Sequence, residues 1–571
     1  MTQFSVFVVA VAMALATHAK ADWDLMSDTW VATDSLGRSL PTSDHVGPPR
    51  QNKTVGIFYF LWLGSHGTPL HDITQILAAN PDNPQWGPPG AFHFWAEPLF
   101  GYYRSDDPFV IRKHLQMLTD AGVDVLFFDV TNAFTYDQVY LTVCKTMDEI
   151  RKTGQTTPQI AFLANTHSAK TVQKVYEQFY AKKLYPQLWF IWDGKPLLLT
   201  PPDDLSPEVK QFFTIRHSWA WSDPRGWFKD GHDKWPWLDH YPQKPGWHDS
   251  KDKPEQISVN VAQHPTSNIG RSFHNGKQPP PNQFTPEKGL CFDEQWRRAF
   301  QVDPQFVFIT GWNEWVAQRF LGDGRQPFLG KPLPKGGTFF VDQYNHEFSR
   351  DIEPMKAGHA DAYYYQLVAN IRKFKGARPV PPATATKTIR IDADFSDWLD
   401  VAPEYRDTIA DTAHRDHPGF GNLKYTDTTG RNDFTRLKVA RDQEFIYFFA
   451  QTQSPLTPPT DQNWMLLFID SDSNPATGSN GYDFLINHPA GTLEKWSNNQ
   501  WTRIARITYR TKANQLELVI PRPLLNLAKD PLQFDFHWAD NIQSLADPTT
   551  FLLHGDSAPN GRFNYRYKPG K

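Results

Sequence analysis

The stretch Ser105 to Asn132, SDDPFVIRKHLQMLTDAGVDVLFFDVTN, sets a helix, a stop and a buried strand in direct succession. Ile111, His114, Leu115 and Leu118 recur at helical spacing, which predicts a helix over Asp107 to Ala121 ended by Gly122. Val123 to Phe128 then runs almost without a polar break and delivers Asp129 at its end. A strand apolar on both faces must be covered on both, so this unit predicts a parallel sheet flanked by helices.

The alternation continues in both directions. Upstream, Val55 to Phe60 reads as a buried strand running into Leu61-Trp62-Leu63-Gly64. Downstream come a helix over Tyr136 to Lys152, a strand over Ile160 to Ala164 and a helix over Lys170 to Tyr180. Further strands are expected at Leu188 to Ile191, Pro196 to Leu199, Phe213 to Ile215, Ile257 to Val261 and Phe306 to Thr310. A helix over Asp293 to Phe300 precedes the last of them. Trp219 to Gly289 is too rich in Pro, Trp, His and Lys to be regular, and reads as long loops over the active face. The class is α/β, and the length suits a (β/α)8 TIM-like barrel with long loops. An open doubly wound sheet is the alternative, but no G-x-G-x-x-G or P-loop marks a nucleotide site.

Gly376 to Thr388, GARPVPPATATKT, breaks the composition and reads as an extended, semi-rigid spacer. After it, Ile389 to Ile391, Thr435 to Val439, Phe445 to Ala450, Trp464 to Ile469, Arg506 to Tyr509 and Leu516 to Ile520 alternate as strands between turn residues. That pattern predicts a C-terminal antiparallel β-sandwich. The expected units are a signal peptide over 1–21, a catalytic barrel over 22–375, a linker over 376–388 and a sandwich over 389–571. The signal peptide rests on the short apolar run Phe4 to Thr17 followed by Ala19-Lys20-Ala21. It implies export, to the periplasm or the medium. No other segment is long and apolar enough to span a membrane.

The net charge of -4 and the lack of a basic block argue against nucleic acid as a partner, and no protein partner is implied. Cys144 and Cys291 lack metal spacing and read as free buried thiols. The 21 Trp, 20 Tyr and 41 Phe are the unusual feature, many beside His, Asp, Asn or Gly at strand ends. Barrel sites form where strands end. The residues there are Trp62 and His66, Asp129 and Asn132, Asn165 and His167, His217 and Trp219, Asp239 and His240, Asn260, Gln263 and His264, then Trp312, Asn313, Glu314 and Trp315. Such a ring suits a sugar polymer, with indoles stacking on ring faces and polar groups on hydroxyls. The histidines lack H-x-x-x-H or H-x-H spacing, which favours hydroxyl recognition over zinc. In Phe306 to Trp315, FVFITGWNEW, a buried strand delivers Glu314 between two indoles, where desolvation raises a carboxyl toward proton-transfer duty. The bland alternative is an ion pair with Arg319.

The Ser105 to Asn132 stretch, the helix before the last strand and TGWNEW together resemble the glycoside hydrolase family 99 and 71 group. That resemblance implies (β/α)-barrel enzymes acting on α-mannosidic and α-glucan linkages. Family 99 carries a second Glu three residues after the Glu of its N-E-W motif; this sequence has Ala317 there, so the family's general acid does not transfer. Glycosidases ordinarily use two carboxyl groups. Asp129 is the first choice as partner of Glu314, with a helix-capping role as the alternative, and Asp351 and Glu353 are the reserve. The C-terminal Ile391 to Trp398 and Phe468 to Asn474 resemble family 9 carbohydrate-binding modules. There Asp470, Asp472 and Asn474 alternate as oxygen ligands for a structural Ca2+, with a metal-free Asx turn as the alternative. Trp496 and Trp501 are candidates for a sugar platform. The reading is therefore an exported glycoside hydrolase cleaving α-linked polysaccharide or oligosaccharide, with no cofactor for catalysis. The rivals are a non-catalytic polysaccharide-binding protein and a polysaccharide lyase or esterase.

Overall fold

The computed structural model describes residues 23–223, 226–530 and 532–569. The expected signal peptide lies outside them. The helix read from Ser105 to Asn132 forms where expected and is capped as the sequence suggests. Asp107 is the N-cap of α1 (Pro108–Asp120), its carboxylate accepting from Phe109 N at 3.0 Å, and Pro108 supplies the fixed φ of the first turn. Gly122 ends the helix at φ +84°, a conformation costly for other residues.

The parallel sheet is built from β1 (Thr54–Tyr59), β2 (Val125–Val130), β3 (Gln159–Ala164), β4 (Lys195–Leu199), β5 (Thr214–Arg216), β6 (Pro254–Asn260) and β7 (Phe306–Thr310). Between them run α2 (Asp137–Lys152), α3 (Ser168–Val175), α4 (Pro207–Phe212) and α5 (Leu290–Val302), with α6 (Ala362–Lys375) closing the series. The spatial order is β5-β4-β3-β2-β1-β7-β6, with the first strand in the middle. Every residue of β2 and β7 is buried. Phe127 and Phe308 meet inside the curl with ring centres 4.4 Å apart. Burying each ring contributes roughly 1.5–3 kcal/mol.

The sheet curls as a half-barrel, and among the described residues a continuous eight-stranded ladder is not seen. Among the described residues between β5 and β6 stand isolated bridges, His217 to Lys234, Ala220 to Leu238 and His232 to Trp247, and a short antiparallel pairing of Gly246–Trp247 with β6. The intervening chain carries Pro236, Pro242 and Pro245, which have no N–H to give a ladder. Pro236 and Trp237 instead offer their carbonyls to Gln256 Nε2, at 2.8 Å, and to the Thr310 hydroxyl. The strand expected at Leu188 to Ile191 is a 3-10 turn over Pro186–Leu188 and a short strand over Ile191–Trp192. A small antiparallel sheet over Phe92–Phe94, Val316–Leu321 and Thr338–Phe340 stands beside the mouth.

Among the described residues the C-terminal region holds a two-stranded sheet that pairs Arg415–Pro418 with Lys424–Asp427 and two larger antiparallel sheets. One orders Tyr405–Arg406, Phe434–Arg441, Phe445–Thr452, Gln515–Pro521 and Thr508–Lys512. The other orders Gln500–Arg506, Thr492–Ser497, Phe484–Ile486, Leu466–Asp470 and Phe534–Asp540, with Asp556–Ala558 and Tyr565–Tyr567 both on the last strand. Phe448 of the first packs on Phe534 and Phe536 of the second, with ring centres 6.0 Å apart in each case. The strand expected at Ile389 to Ile391 does not form.

The proline-rich stretch is not a free spacer. Ala377 is fully buried, Arg378 is ion-paired to Asp24 and Asp28, and Ala383 N donates to Lys568 O at 2.9 Å. The two β-rich halves meet through buried polar contacts. Arg415 sits 2.7 Å from Asp107, the cap of α1, and Asn560 Nδ2 donates to Asp120 Oδ2 at 2.8 Å. Cys144 and Cys291 are free and buried. No helix among the described residues is long and apolar enough to cross a membrane.

Candidate active-site cleft

β7 ends at Thr310, and the chain turns through Gly311 at φ +100°. A Cβ there would lie 1.8 Å from the Arg350 carbonyl oxygen. Glycine therefore lets the 350–353 loop close against the turn that presents Glu314. Asp351 Oδ1 accepts the Glu314 N–H at 2.5 Å, and Asp351 Oδ2 accepts Trp95 Nε1 at 2.7 Å. Asn313 fixes the turn from the other side, its carboxamide pairing both ways with the Phe60 backbone at 2.8 and 3.1 Å. The Glu314 carboxyl thus stands on a clamped backbone.

It faces a cleft of about 640 Å³ at the end of the sheet. Glu314, Asp129, Asp342 and Arg350 line it with Trp62, His66, Trp219, Trp221, Trp237 and His264. Phe134, Phe320 and Val341 are exposed along its lining. Arg350 is itself buried, lies 2.5 Å from Glu314 Oε2 and reaches Asp342 Oδ1 at 3.3 Å. Gln343 Nε2 donates to the same Glu314 oxygen at 3.1 Å. Burial pushes the Glu314 carboxyl well up; Arg350 opposes this, while the charges of Asp342, Asp351 and Asp129 push it further. Burial also raises Asp129, against two hydrogen bonds from Thr131 and the pull of Arg350. Asp129 Oδ1 takes both Thr131 bonds, from the N–H at 2.9 Å and the hydroxyl at 2.7 Å. Asp351 is pushed up to about 7 by burial. The same cause, opposed by Asp342, holds the His264 ring at about 4 and so neutral near pH 7. The cleft is an aromatic-walled trough whose floor holds carboxyls around one guanidinium.

The remaining candidates stand elsewhere. Trp312 and Trp315 are core residues: Trp315 stacks on Trp95 at 4.7 Å, and Trp312 meets His114 edge-on at 5.5 Å. Asn313 is a clamp rather than a substrate contact. Asn260 is buried and donates to Asp239 O at 3.0 Å. His217 is held by Lys234 at 2.9 Å and packs on Trp227. Asn165 and His167 follow β3 outside the cleft lining, with His167 exposed as the N-cap of α3. Asn132 lines the cleft, whereas His240 lies beside Trp221, 6.1 Å between ring centres, without joining the lining. Among the described residues none of His66, His167, His217, His240 or His264 joins a metal-capable group.

Arg319, considered as an ion-pair partner for Glu314, instead bonds Thr338 Oγ1 and the Gly87 carbonyl. The partner is Arg350. Asp351 supports Glu314 from behind, and Glu353 is buried against Tyr103, Trp315 and His114. Neither reserve carboxyl lines the cleft, whereas Ala317 does. Asp342, Trp221 and Trp237 were not singled out from sequence. Asp342 follows a strand of the small sheet, and no local periodicity marks it.

In the C-terminal region the carboxylates of Asp470, Asp472 and Asp483 stand together as a group able to hold a metal, with Asn474 in the same turn. Asn474 caps the turn, its N–H donating to Asp472 Oδ1 at 2.9 Å and its own Oδ1 accepting from Ala476 N at 3.1 Å. Trp496 and Trp501 face each other across a hairpin at 5.1 Å.

No protein-family model and no curated protein matches this chain. Among solved structures it is similar to a GH99 endo-α-mannosidase from Bacteroides thetaiotaomicron, at a TM-score of 0.35 and 16% identity over 58% of this chain and 99% of that one. A structure of a GH99 endo-α-mannosidase in complex with bis-tris-propane gives 0.33 and 14%, over 56% and 97%. At those values the functional reading rests on the cleft alone.

Proposed function

We propose that this chain is an exported glycoside hydrolase that cleaves α-linked polysaccharide or oligosaccharide, with Glu314 as its proton-transfer group. The observation that carries the reading is the placement of a desolvated, backbone-clamped Glu314 in an aromatic-walled cleft that also holds Asp129 and Asp342. Cleavage passes through a transition state with oxocarbenium character, which needs an acid for the leaving oxygen and a carboxylate near the sugar ring. Burial favours protonated Glu314, so its proton is available to the bridging oxygen. Once it is given up, Arg350 at 2.5 Å balances the new carboxylate. Asp129 is the proposed second carboxyl, and Asp342 is the alternative the cleft supplies. Trp62, Trp219, Trp221 and Trp237 would receive sugar faces, with His66 and His264 beside hydroxyls.

The proton donor is the acid form, so turnover should fall as pH rises through the raised Glu314 value. That basic limb should lie above the range of an ordinary glutamate. The sandwich is proposed to hold polymer near the cleft, with Asp470, Asp472 and Asp483 as a candidate Ca2+ site. A second reading, a non-catalytic polysaccharide-binding protein, draws on Ala317 and on the engagement of Glu314 by Arg350. A panel of α-linked, acidic and sulfated polymers separates these. New reducing ends support hydrolysis, unsaturated ends a lyase, released acyl groups an esterase, and binding without products the second reading.

A further inference from the structure

Away from the cleft, where the C-terminal sheets meet the helical layer, Asp407, Asp411 and Asp556 offer carboxylate oxygens that all lie within 4.8 Å of one another. They come from distant parts of the sequence. Asp407 follows the strand Tyr405–Arg406, Asp411 closes the turn after it, and Asp556 opens the strand Asp556–Ala558. Asp433, at the head of Phe434–Arg441, belongs to the same neighbourhood, its Oδ2 accepting from Ala410 N at 2.9 Å. The three clustered residues are 0%, 2% and 3% exposed.

Asp407 is the telling member. Both of its carboxylate oxygens are buried and, among the described residues, meet no cation and no side-chain donor, only the neighbouring Thr408 N–H coming near, and Oδ1 of Asp411 and of Asp433 is unpartnered. A buried carboxylate without a donor or counter-ion is strongly unfavourable. The protein offers little compensation here: Lys113 Nζ lies 3.9 Å from Asp411 Oδ2, and Gln116 Nε2 donates to that same oxygen at 2.5 Å. Asp556 spends its oxygens on Phe434 N at 2.6 Å and Ser557 N at 2.9 Å, which orients it without neutralising it. Two other buried acids of the junction are paired with cations, whereas Asp120 has the Asn560 amide. Asp107 has Arg415 at 2.7 Å, and Asp361 is paired with Arg562.

We propose that Asp407, Asp411 and Asp556, with Asp433 beside them, form a binding site for one divalent cation of the Ca2+ type that ties the sandwich to the helical layer. An all-oxygen set of carboxylates, with no His or Cys, suits a hard cation that accepts many oxygen ligands in flexible geometry. The surroundings are already anchored to both halves. Gln116 of α1 holds Asp411, while Asn560 bridges Asp120 of α1 and the hydroxyl of Thr408 at 2.8 and 3.0 Å. Asp407 N is pinned to Thr435 O at 3.1 Å, so the carboxylates converge on a fixed backbone. The site is separate from Asp470, Asp472 and Asp483 and does not depend on the chemistry of the cleft.

The test uses the full chain with Asp472→Ser, so that the other acidic group does not contribute. After EGTA treatment and return to Ca2+, atomic emission should find one tightly held ion per chain, and the melting temperature should rise with Ca2+. Adding Asp407→Asn with Asp411→Asn should abolish both effects. Should that variant fail to fold, Tb3+ luminescence on the parent chain decides. Trp23 Nε1 donates to Asp407 O at 2.8 Å, so its indole should sensitise bound Tb3+. Trp23→Phe should dim the emission several-fold while leaving Ca2+ uptake intact. An EGTA-treated parent chain that takes up no ion and melts alike with and without Ca2+ overturns the proposal. So does uptake that persists in the Asn variant.

Discussion

Two acidic clusters in this molecule, one in the cleft and one at the junction, solve the same electrostatic problem differently. In the cleft, Glu314, Asp129 and Asp342 stand around Arg350, with Asp351 behind Glu314; Arg350 is buried and touches Glu314 and Asp342 directly. At the junction, Asp407, Asp411 and Asp556 converge with Lys113 at 3.9 Å as the nearby cation, and among the described residues Asp407 has no cation and no side-chain donor on its carboxylate. The cleft opens to solvent and keeps its charge balanced by a fixed cation, which leaves a carboxyl free to gain and lose a proton. The junction is closed, and its balance must come from something small enough to sit among the carboxylates. A buried acidic cluster therefore does not by itself mean catalysis; what neutralises it, and whether a cleft reaches it, separates the two.

The largest expected effect breaks the junction outright. A chain ending near residue 380 strips Arg415 from Asp107, Asn560 from Asp120 and Arg562 from Asp361. Losing one partner of a buried ion pair typically costs about 3–5 kcal/mol, and domain stability is only ~5–15 kcal/mol in total. The truncated chain should aggregate or remain unfolded by circular dichroism. A soluble, cooperatively melting product would show the halves to be independent.

Arg350→Met removes the cation that distinguishes the cleft. Glu314, which burial keeps protonated, is left without a charge partner it needs only as the carboxylate, so the cost should be the lost hydrogen bonds, about 1–3 kcal/mol, read from urea unfolding. The carboxyl should also bind its proton more tightly, since Arg350 is what holds it down. Any remaining turnover should then have its basic limb at higher pH. A basic limb at lower pH would mean that Arg350 does not set the Glu314 proton affinity.

Asp129→Asn and Asp342→Asn separate the two candidates for the second carboxyl. The partner should lose about 10²–10⁴-fold in kcat with little change in melting. The other should keep most of its turnover. Asp129→Asn that mainly lowers the melting temperature would mark that residue as a turn-former, through its Thr131 bonds. The smallest effect belongs to Arg319→Met. Its partners are Thr338 Oγ1 and a backbone carbonyl near the surface, so the change should cost ~1 kcal/mol and leave kcat within a few-fold.

The same contrast explains what could be read from sequence. The parallel strands were legible because continuous apolar runs such as Val125 to Phe128 have one stable placement, and Glu314 because such a strand delivers it. How far the barrel closes was not legible: nothing in the alternation shows that the proline-bearing stretch between β5 and β6 pairs through isolated bridges. Asp342 and the Arg350 pairing were hidden because loop residues far from β7 in sequence carry no period. Trp312, Asn313 and Trp315 looked like a binding surface because a strand-end motif does not say which neighbours turn inward. At the junction, Asp407 and Asp556 lie far apart in sequence, and only the fold brings them together.

The central claim is that Glu314 transfers the proton, and Glu314→Gln tests it most directly. Glutamine keeps the shape and preserves an acceptor for Arg350 and Gln343, so the variant should melt close to the parent and bind oligosaccharide with near-normal affinity. On a polymer that the parent cleaves, turnover should fall by about 10²–10⁴-fold or more. Turnover near the parent's on that same polymer would contradict the account.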